Sequence, residues 1–273
     1  MPELPEVETI TRQLNRVTRG KKIIRAEANF RKASNYSLRT FEKKIKGRKI
    51  VKVSRMAKAI VFDLEGDLNL MAHLKMTGHM LYMTEYDKEP KYTFNILHLN
   101  NHHKIVFGDF RKFGYMKILT NKELNKELQK FGPDPIRSSF TLEMFREILE
   151  KRLNGRIKQV LLDQKMISGI GNIYGSEICF AAGVRPMRRI KTLKDKELVR
   201  LFKATKKILK KAILVHGTSA ANYFDLYGKP GGYVPYLKVY RREGKPCKKC
   251  GSVIKKITVG GRGTYYCSKC QEQ

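Results

Sequence analysis

The chain has 273 residues, of which 57 are Lys or Arg and 25 are Asp or Glu, so its formal net charge at pH 7 is +32. So large a positive excess favours a polyanionic partner such as nucleic acid. No apolar run approaches the roughly 18 residues that span a bilayer, and no basic amphipathic helix opens the chain. We therefore expect a cytoplasmic protein that does not bind membranes.

The first half of the chain is predicted to be one helix followed by a β-sandwich. The helix covers PEVETITRQLNRVTRG, which begins at Pro5. Apolar and polar residues then alternate in RKIVKVSRMAKAIVFDL, LNLMAHLKM, YTFNILHLNNHHKIVFGDF and YMKILT. Such alternation is typical of strands with one buried face, and turns such as EGD and NNHH separate the runs.

A boundary is predicted at FGPDPI, residues 131–136, because two prolines and a glycine in six residues fit neither a helix nor a central strand. Beyond it the patterns are helical, in TLEMFREILEKRL, IKQVLLDQ, NIYGSEICFAAG and LKDKELVRLFKATKKILKKAILVHG. We therefore predict an α+β protein with a catalytic domain over residues 1–131, a helical domain over 132–237 and a small C-terminal module over 238–273.

The C-terminal module carries two CxxC pairs, Cys247 with Cys250 and Cys267 with Cys270, separated by residues 251–266. Four thiolates at this spacing predict one tetrahedral, structural zinc site on two knuckles, with no position left for water. Disulfides are the alternative, but the chain opens without an export signal. The fifth cysteine, Cys179, lies in an apolar helical pattern and is predicted to be part of the core.

The first residues, MPELPEVE, combine prolines with acids. Removal of Met1 would give Pro2 a free secondary amine, and near neutral pH the unprotonated fraction of such an amine is far larger than that of a lysine. Attack on a sugar C1′ would form an iminium ion that favours β-elimination of phosphate, with Glu3 and Glu6 as proton donors and acceptors. An ordinary helix N-terminus, where Pro and Glu are common, is the alternative explanation.

Together these motifs resemble the formamidopyrimidine-DNA glycosylase family of bifunctional base-excision enzymes along nearly the whole chain. The matching segments are PELPEVE, AKAIVFDL, HLKMTG, RKFG, FGPDPI, DQKMISGIGNIYGSEICFAAGVRP, GKPGGY and the closing zinc finger. The resemblance implies an N-terminal β-sandwich, a helical domain with a helix–two-turn–helix motif and a β-hairpin zinc finger. It also implies a monomer that binds double-stranded DNA containing oxidised bases or abasic sites, in the cleft between its two halves.

The resemblance also implies the roles of single residues. It assigns the Schiff base to Pro2, acid and base chemistry to Glu3 and Glu6, and phosphate binding near the lesion to Lys58. His73, Lys112, Lys158, Asn172 and Arg262 match positions that bind DNA. Met76, Arg111 and Phe113 match the three residues that fill the gap left by a flipped nucleotide, a step that costs a few kcal/mol of stacking and pairing.

Three departures from the family pattern bear on these roles. Phe110 and Lys112 stand where proline and arginine are common, and an ammonium group lacks the bidentate grip of a guanidinium. Ala221 falls where some relatives carry a lysine near the lesion-reading loop, which affects the lesion spectrum. The finger also lacks the common proline after its third cysteine.

The function predicted from the sequence is removal of oxidised purines, such as 8-oxoguanine and formamidopyrimidines, followed by β,δ-elimination. One alternative is an endonuclease-VIII-like enzyme for oxidised pyrimidines, against which the PELPEVE start argues. The other is a zinc-finger DNA-binding protein without catalysis, which would have no need of Pro2, Glu3 and Lys58 together.

Overall fold

The computed structural model describes residues 1–220 and 222–272 and forms two compact units. The first unit consists of Met1–Lys130 and Val215–Gly232. The second consists of Phe131–Leu214 and Tyr233–Gln273. The predicted start of the helical domain, residue 132, lies next to Phe131, where the chain first enters the second unit. Val215–Gly232, which we expected within the helical domain, belongs to the first unit.

The first unit is mainly antiparallel β-structure. Its elements are α1 (Leu4–Thr18), β1 (Ile23–Ala28), a 3₁₀ helix (Arg31–Ala33), α2 (Leu38–Ile45), β2 (Ile50–Met56), β3 (Ala59–Leu64), β4 (Leu68–His73), β5 (Gly78–Thr84), β6 (Thr93–Leu99), β7 (His103–Asp109), β8 (Tyr115–Leu119) and α3 (Asn121–Leu128). One four-stranded sheet has the order β1-β6-β7-β5 and the other β2-β3-β4-β8.

Both sheets contribute to one apolar core, so the predicted β-sandwich is confirmed. Phe62 and Leu70 from one sheet join Leu97 and Phe107 from the other, each less than 2 % exposed. The buried side chains of α1 recur every three or four residues, so one face of the helix packs on β2. This packing fixes the chain's N-terminus relative to the sheet.

The second unit is helical, with a terminal β-hairpin. Its elements are α4 (Leu142–Glu150), α5 (Ile157–Leu162), α6 (Asn172–Ala181), a 3₁₀ helix (Ile190–Thr192), α7 (Asp195–Leu214), a 3₁₀ helix (Val234–Tyr236), β9 (Ile254–Val259) and β10 (Arg262–Cys267). An aromatic cluster of Phe140, Phe145 and Phe202 joins α7 to α4, with ring centroids about 6 Å apart. The expected α+β class therefore holds.

None of the helices within residues 1–220 and 222–272 combines the length and the apolar character that a bilayer-spanning segment requires.

Candidate functional site

The N-terminal residues are held in place by a capping box at the start of α1. The backbone N–H of Glu3 donates to Glu6 Oε2 at 2.8 Å, and the Glu3 side chain accepts from the backbone of Glu6. The other oxygen of Glu6 accepts from the backbone N–H of Thr218 at 2.7 Å. Since backbone donors engage both of its oxygens, Glu6 fixes the backbone of Glu3, the residue that follows Pro2, at the head of the helix.

The contact between Glu6 and residues 217–218 explains the glycine at position 217. Gly217 has a φ of +85°, and a Cβ at this position would lie 2.9 Å from Glu6 Cγ. A side chain there would clash with Glu6 and strain the backbone. Gly217 does not stand out in the sequence, because its partner lies 211 positions earlier in the chain.

Lys58 lies in the tight turn between β2 and β3 and is 8 % exposed. The turn requires a positive φ at Ala57, and Arg55 Nη1 donates to the Ala57 carbonyl at 2.9 Å. Arg55 Nε in turn donates to Glu8 Oε2 on α1 at 2.7 Å. Burial opposes ionisation of Glu8, but the charge and hydrogen bond of Arg55 dominate and lower its pKa. This ion pair holds the Lys58 turn against α1, the helix that Pro2 precedes.

His73 ends β4, beside the start of β3, in register with Ala59. Its Nδ1 accepts the backbone N–H of Lys75 at 2.9 Å, so the neutral ring carries its proton on Nε2. Loss of hydration, followed by the charges of Lys75 and Lys58, lowers its pKa to about 3. His73 is therefore a neutral hydrogen-bond donor at physiological pH, and its cationic neighbours favour that neutral form.

Met76, Arg111 and Phe113 come together on an exposed surface. Arg111 Nη1 lies 3.3 Å from Met76 Sδ, and its guanidinium lies 5.1 Å from the centroid of the Phe113 ring. Met76 is 42 % exposed and Phe113 54 %, which is unusual for side chains this apolar. The neighbouring Lys112 points elsewhere, with its ammonium 5.7 Å from the Phe30 ring centroid. Met76, Arg111 and Phe113 were grouped by the family resemblance, and in the structure Arg111 contacts the other two.

The loop that carries Arg111 and Phe113 is organised by Asp109, which the sequence analysis did not single out. Its carboxylate is completely buried and accepts the backbone N–H groups of Arg111, Phe113 and Gly114 at 3.1, 2.8 and 2.7 Å. An aspartate at the head of a short polar loop commonly bonds to the backbone that follows it. The signal was therefore present in the segment DFRKFG.

In the second unit Lys158 and Asn172 are in direct contact. Lys158 is 1 % exposed, and its Nζ donates to Asn172 Oδ1 and to Thr264 Oγ1, both at 2.7 Å. Asn172, the first residue of α6, donates from Nδ2 to the Gly263 carbonyl at 3.0 Å. These bonds join α5, α6 and β10 at the point where the exposed Arg262 begins its strand.

The turn between α5 and α6 is clamped by Gln164, another residue that the sequence analysis missed. Its Oε1 accepts from the Gly169 N–H at 2.8 Å, and its Nε2 donates to the Leu162 and Ile170 carbonyls at 2.7 and 2.8 Å. Gly169 has a φ of +87°, as expected for a glycine at a tight turn.

The four predicted cysteine ligands converge. Their sulfur atoms lie within 4.8 Å of one another, with Cys247 3.9 Å from Cys270 and Cys250 3.5 Å from Cys267. A tetrahedral zinc ion with Zn–S bonds of 2.3 Å requires sulfur atoms about 3.8 Å apart. Backbone N–H groups of Lys249 and Cys270 also point at the sulfurs of Cys247 and Cys267. The residues therefore fit one structural zinc ion.

Comparison with known proteins places the whole chain in one family. Residues 1–116 match the model of the formamidopyrimidine-DNA glycosylase N-terminal domain, residues 131–223 the formamidopyrimidine-DNA glycosylase H2TH domain, and residues 244–273 the zinc finger found in FPG and IleRS. A formamidopyrimidine-DNA glycosylase of Listeria monocytogenes is 40% identical over 276 residues, covering 100% of both chains. The chain belongs to the formamidopyrimidine-DNA glycosylase family.

Other members of the formamidopyrimidine-DNA glycosylase family agree in sequence and in structure. The enzyme of Pelotomaculum thermopropionicum is 38% identical over 275 residues, covering 100% of this chain and 99% of its own. A Lactococcus lactis Fpg complex with DNA containing an abasic site has a TM-score of 0.92 at 32% identity, covering 99% of this chain and 100% of that one. The wild-type Lactococcus lactis Fpg with N7-benzyl-Fapy-dG DNA also has a TM-score of 0.92 at 32% identity, with both chains fully covered.

Family membership confirms the resemblance found in the sequence, the helix–two-turn–helix motif and the zinc cofactor. It identifies the chain as a DNA-repair enzyme, a base-excision glycosylase that binds DNA. The roles assigned to individual residues stay predictions. The interpretation of Ala221 concerns a position outside the described residues.

Proposed function

We propose that the chain excises oxidised purines, including 8-oxoguanine and formamidopyrimidines, from duplex DNA and then cleaves the strand through a Schiff base on Pro2. The observation that carries the proposal is the buried capping box, in which Glu6 holds Glu3, the residue after Pro2, at the head of α1. A helix could be capped by many residues, but a prolyl amine beside a buried glutamate supplies a nucleophile and a proton carrier at one place.

The chemistry begins when removal of Met1 frees the Pro2 nitrogen. That nitrogen attacks C1′ of the damaged nucleotide, the C1′–N bond to the base breaks, and the base leaves with a proton. The C1′–O4′ bond of the sugar ring then breaks, O4′ takes up a proton from Glu3, and the lone pair of the Pro2 nitrogen forms a double bond to C1′. The resulting iminium ion acidifies the C2′ hydrogen. Loss of that proton expels the 3′ phosphate by β-elimination, and a second elimination expels the 5′ phosphate. Glu3 is the proposed proton carrier, and Glu6 takes part mainly by positioning because its oxygens already accept backbone donors.

DNA binding is proposed to use residues of both units. Lys58 contributes a positive charge, and His73 contributes a neutral N–H donor to a phosphate oxygen. Asn172 and Arg262 bind the backbone, with Lys158 supporting the hairpin that carries Arg262. Arg111, which contacts Met76 and Phe113, fills with them the space left by the flipped nucleotide. We further propose that the protein acts as a monomer in the bacterial cytosol. The zinc ion supports the finger's fold and takes no part in the reaction.

The decisive experiment is borohydride trapping on duplex DNA with 8-oxoguanine opposite cytosine, because reduction converts the iminium ion into a permanent crosslink. The mature protein should crosslink efficiently, whereas a form with an uncleaved N-terminal tag and a Pro2→Gly variant should crosslink far less. Equal trapping of the tagged form would identify a lysine as the nucleophile. Absence of both trapping and excision would favour DNA binding without catalysis.

A second lesion class deserves a direct comparison, because the wild-type Lactococcus lactis Fpg was crystallised with DNA containing an oxidised pyrimidine. Single-turnover rates are measured on matched duplexes with 8-oxoguanine, a formamidopyrimidine or an oxidised pyrimidine. We expect higher rates on the two oxidised purines than on the pyrimidine. A faster rate on the pyrimidine would assign the chain to an endonuclease-VIII-like specificity.

A further inference from the structure

The second unit contains a cavity that the proposed reaction does not use. It lies between α6, α7 and residues 233–238 and has a volume of about 480 Å³. Its apolar wall includes Phe180, Ala204, Ile208 and Tyr233. A volume of this size is typical of sites that bind a small molecule or a few side chains of a partner.

The rim of this cavity is cationic. Arg200, Lys203, Lys207 and Lys211 recur along α7 at spacings of three, four and four residues, which places them on one face of the helix. Lys238 adds a fifth positive charge. The cavity therefore joins an apolar interior to a row of positive charges about 16 Å long, the rise of eleven helical residues.

These charges are largely uncompensated within the cavity. Arg200 lies 3.8 Å from Glu197, which is outside the cavity lining. Among residues 1–220 and 222–272, neither Lys203 nor Lys207 forms an ion pair, and Lys211 lies over the Tyr236 ring at 4.6 Å from its centroid. Glu177 is the one acid in the described lining, and its oxygens accept the backbone N–H groups of Lys238, Val239 and Tyr240 at 2.9, 3.0 and 2.8 Å. Its carboxylate is thus engaged by the backbone rather than by the rim.

We propose that this cavity binds a short acidic segment of a partner protein, with one or two bulky apolar side chains in the cavity and carboxylates against the α7 cations. Charge complementarity identifies the acidic character, and the apolar wall identifies the anchor. A phosphate backbone matches the charges but offers no apolar side chain to the interior. About five residues of extended peptide span the 16 Å row.

The test uses a fluorescent peptide of about eight residues, in which Asp and Glu flank a central Phe-Leu pair, and measures its binding by anisotropy. A second peptide has the same charge but Ser-Ser in place of the Phe-Leu pair. Lys207→Glu is compared with Lys210→Glu, since both lysines are exposed on α7 but only Lys207 lines the cavity. Ala181→Trp fills the cavity from an exposed position without changing the charge.

The proposal predicts that Lys207→Glu weakens peptide binding by roughly fivefold to tenfold, while Lys210→Glu changes it by less than about twofold. Ala181→Trp and the Ser-Ser peptide should each weaken binding by roughly tenfold. All three variants should keep wild-type excision activity and zinc content, which verifies their folding.

Several results would overturn the proposal. The wild-type protein could fail to bind the Phe-Leu peptide, or bind both peptides equally. The two lysine variants could also weaken binding by the same factor, which would indicate attraction to the overall positive charge. Finally, an oligonucleotide could bind in a way that is sensitive to Lys207→Glu but not to Ala181→Trp, which would assign the α7 row to nucleic acid.

Discussion

Lys158 donates a 2.7 Å hydrogen bond to the side chain of Asn172, fourteen residues later in the chain. The same ammonium group reaches Thr264 in β10, so one buried cation joins two helices to the zinc-finger hairpin. A lysine expected only to bind phosphate thus has a structural task as well.

Replacing Lys158 by Met should therefore destabilise the second unit as well as weaken DNA binding. Loss of charge-assisted hydrogen bonds leaves Asn172 and Thr264 without this partner, and we expect a fall of about 1.5–3 kcal/mol in the free energy of unfolding. Urea denaturation measures this fall. Lys151→Met, at an exposed position, is the matched control and should change stability by less than about 0.5 kcal/mol. An unchanged stability in Lys158→Met would limit its role to phosphate binding.

Arg111 is predicted to read the base opposite the lesion. Cytosine presents two adjacent acceptors to a guanidinium, whereas adenine presents an acceptor beside a donor. Arg111→Ala should narrow the preference for cytosine by about 1–3 kcal/mol, measured as single-turnover rates on duplexes with cytosine or adenine opposite 8-oxoguanine.

Lys112→Ala is the natural control for Arg111, because its ammonium lies over Phe30 instead of joining Met76 and Phe113. It should leave the ratio of the two rates unchanged. If Arg111→Ala lowers both rates by one common factor, opposite-base discrimination arises elsewhere.

The zinc site predicts one zinc ion per chain. Cys250→Ser should lose the metal and weaken DNA binding and excision together, since so small a module depends on the ion for its fold. Cys179→Ala is the control, because burial raises the pKa of Cys179 to about 12 and the residue is remote from the ligand cluster in sequence. Metal content by mass spectrometry and DNA affinity by titration decide the matter. Full affinity in metal-free Cys250→Ser would contradict the prediction.

The depressed pKa of His73 predicts an acid-sensitive fold. Between about pH 6.5 and pH 3 the unfolded chain binds a proton at this ring and the folded chain does not. The free energy of unfolding should therefore fall as the pH is lowered through this window, by at most about 1.4 kcal/mol per pH unit from His73. His73→Gln should make this decline shallower in urea denaturation.

Lys75→Met sharpens the test of His73, because the positive charge of Lys75 contributes to the depressed pKa while its backbone N–H still bonds to the ring. The variant should raise the pKa of His73, as followed by NMR titration. An unchanged pKa would exclude the charge of Lys75 as a cause and leave loss of hydration and the charge of Lys58.

The sequence predicted the features that depend on local pattern and left out those that depend on distant partners. The zinc ligands follow from fixed short spacings, and the long helix α7 follows from its periodicity. Strand β1 was missed because IIRAEA lacks strict alternation, and its pairing with β6 contains a bulge. Gly217 and Gln164 escaped notice because their roles depend on Glu6 in one case and on the path of a turn in the other. The proposed DNA-binding residues come from the resemblance to a known family, because spacing alone would have left them as ordinary core or surface positions.

The return of Val215–Gly232 to the first unit has a consequence for synthesis of the protein on the ribosome. Tyr223 and Leu226 belong to that unit's apolar core, and Thr218 supplies the second donor to Glu6. About a hundred residues must be translated after Lys130 before this segment is complete, which takes about 5 to 20 s at bacterial rates. For that interval the nascent sheets lack part of their core and the N-terminal residues lack one anchor. The proposed nucleophile thus becomes fully positioned late in translation, although it is made more than 200 residues before Thr218.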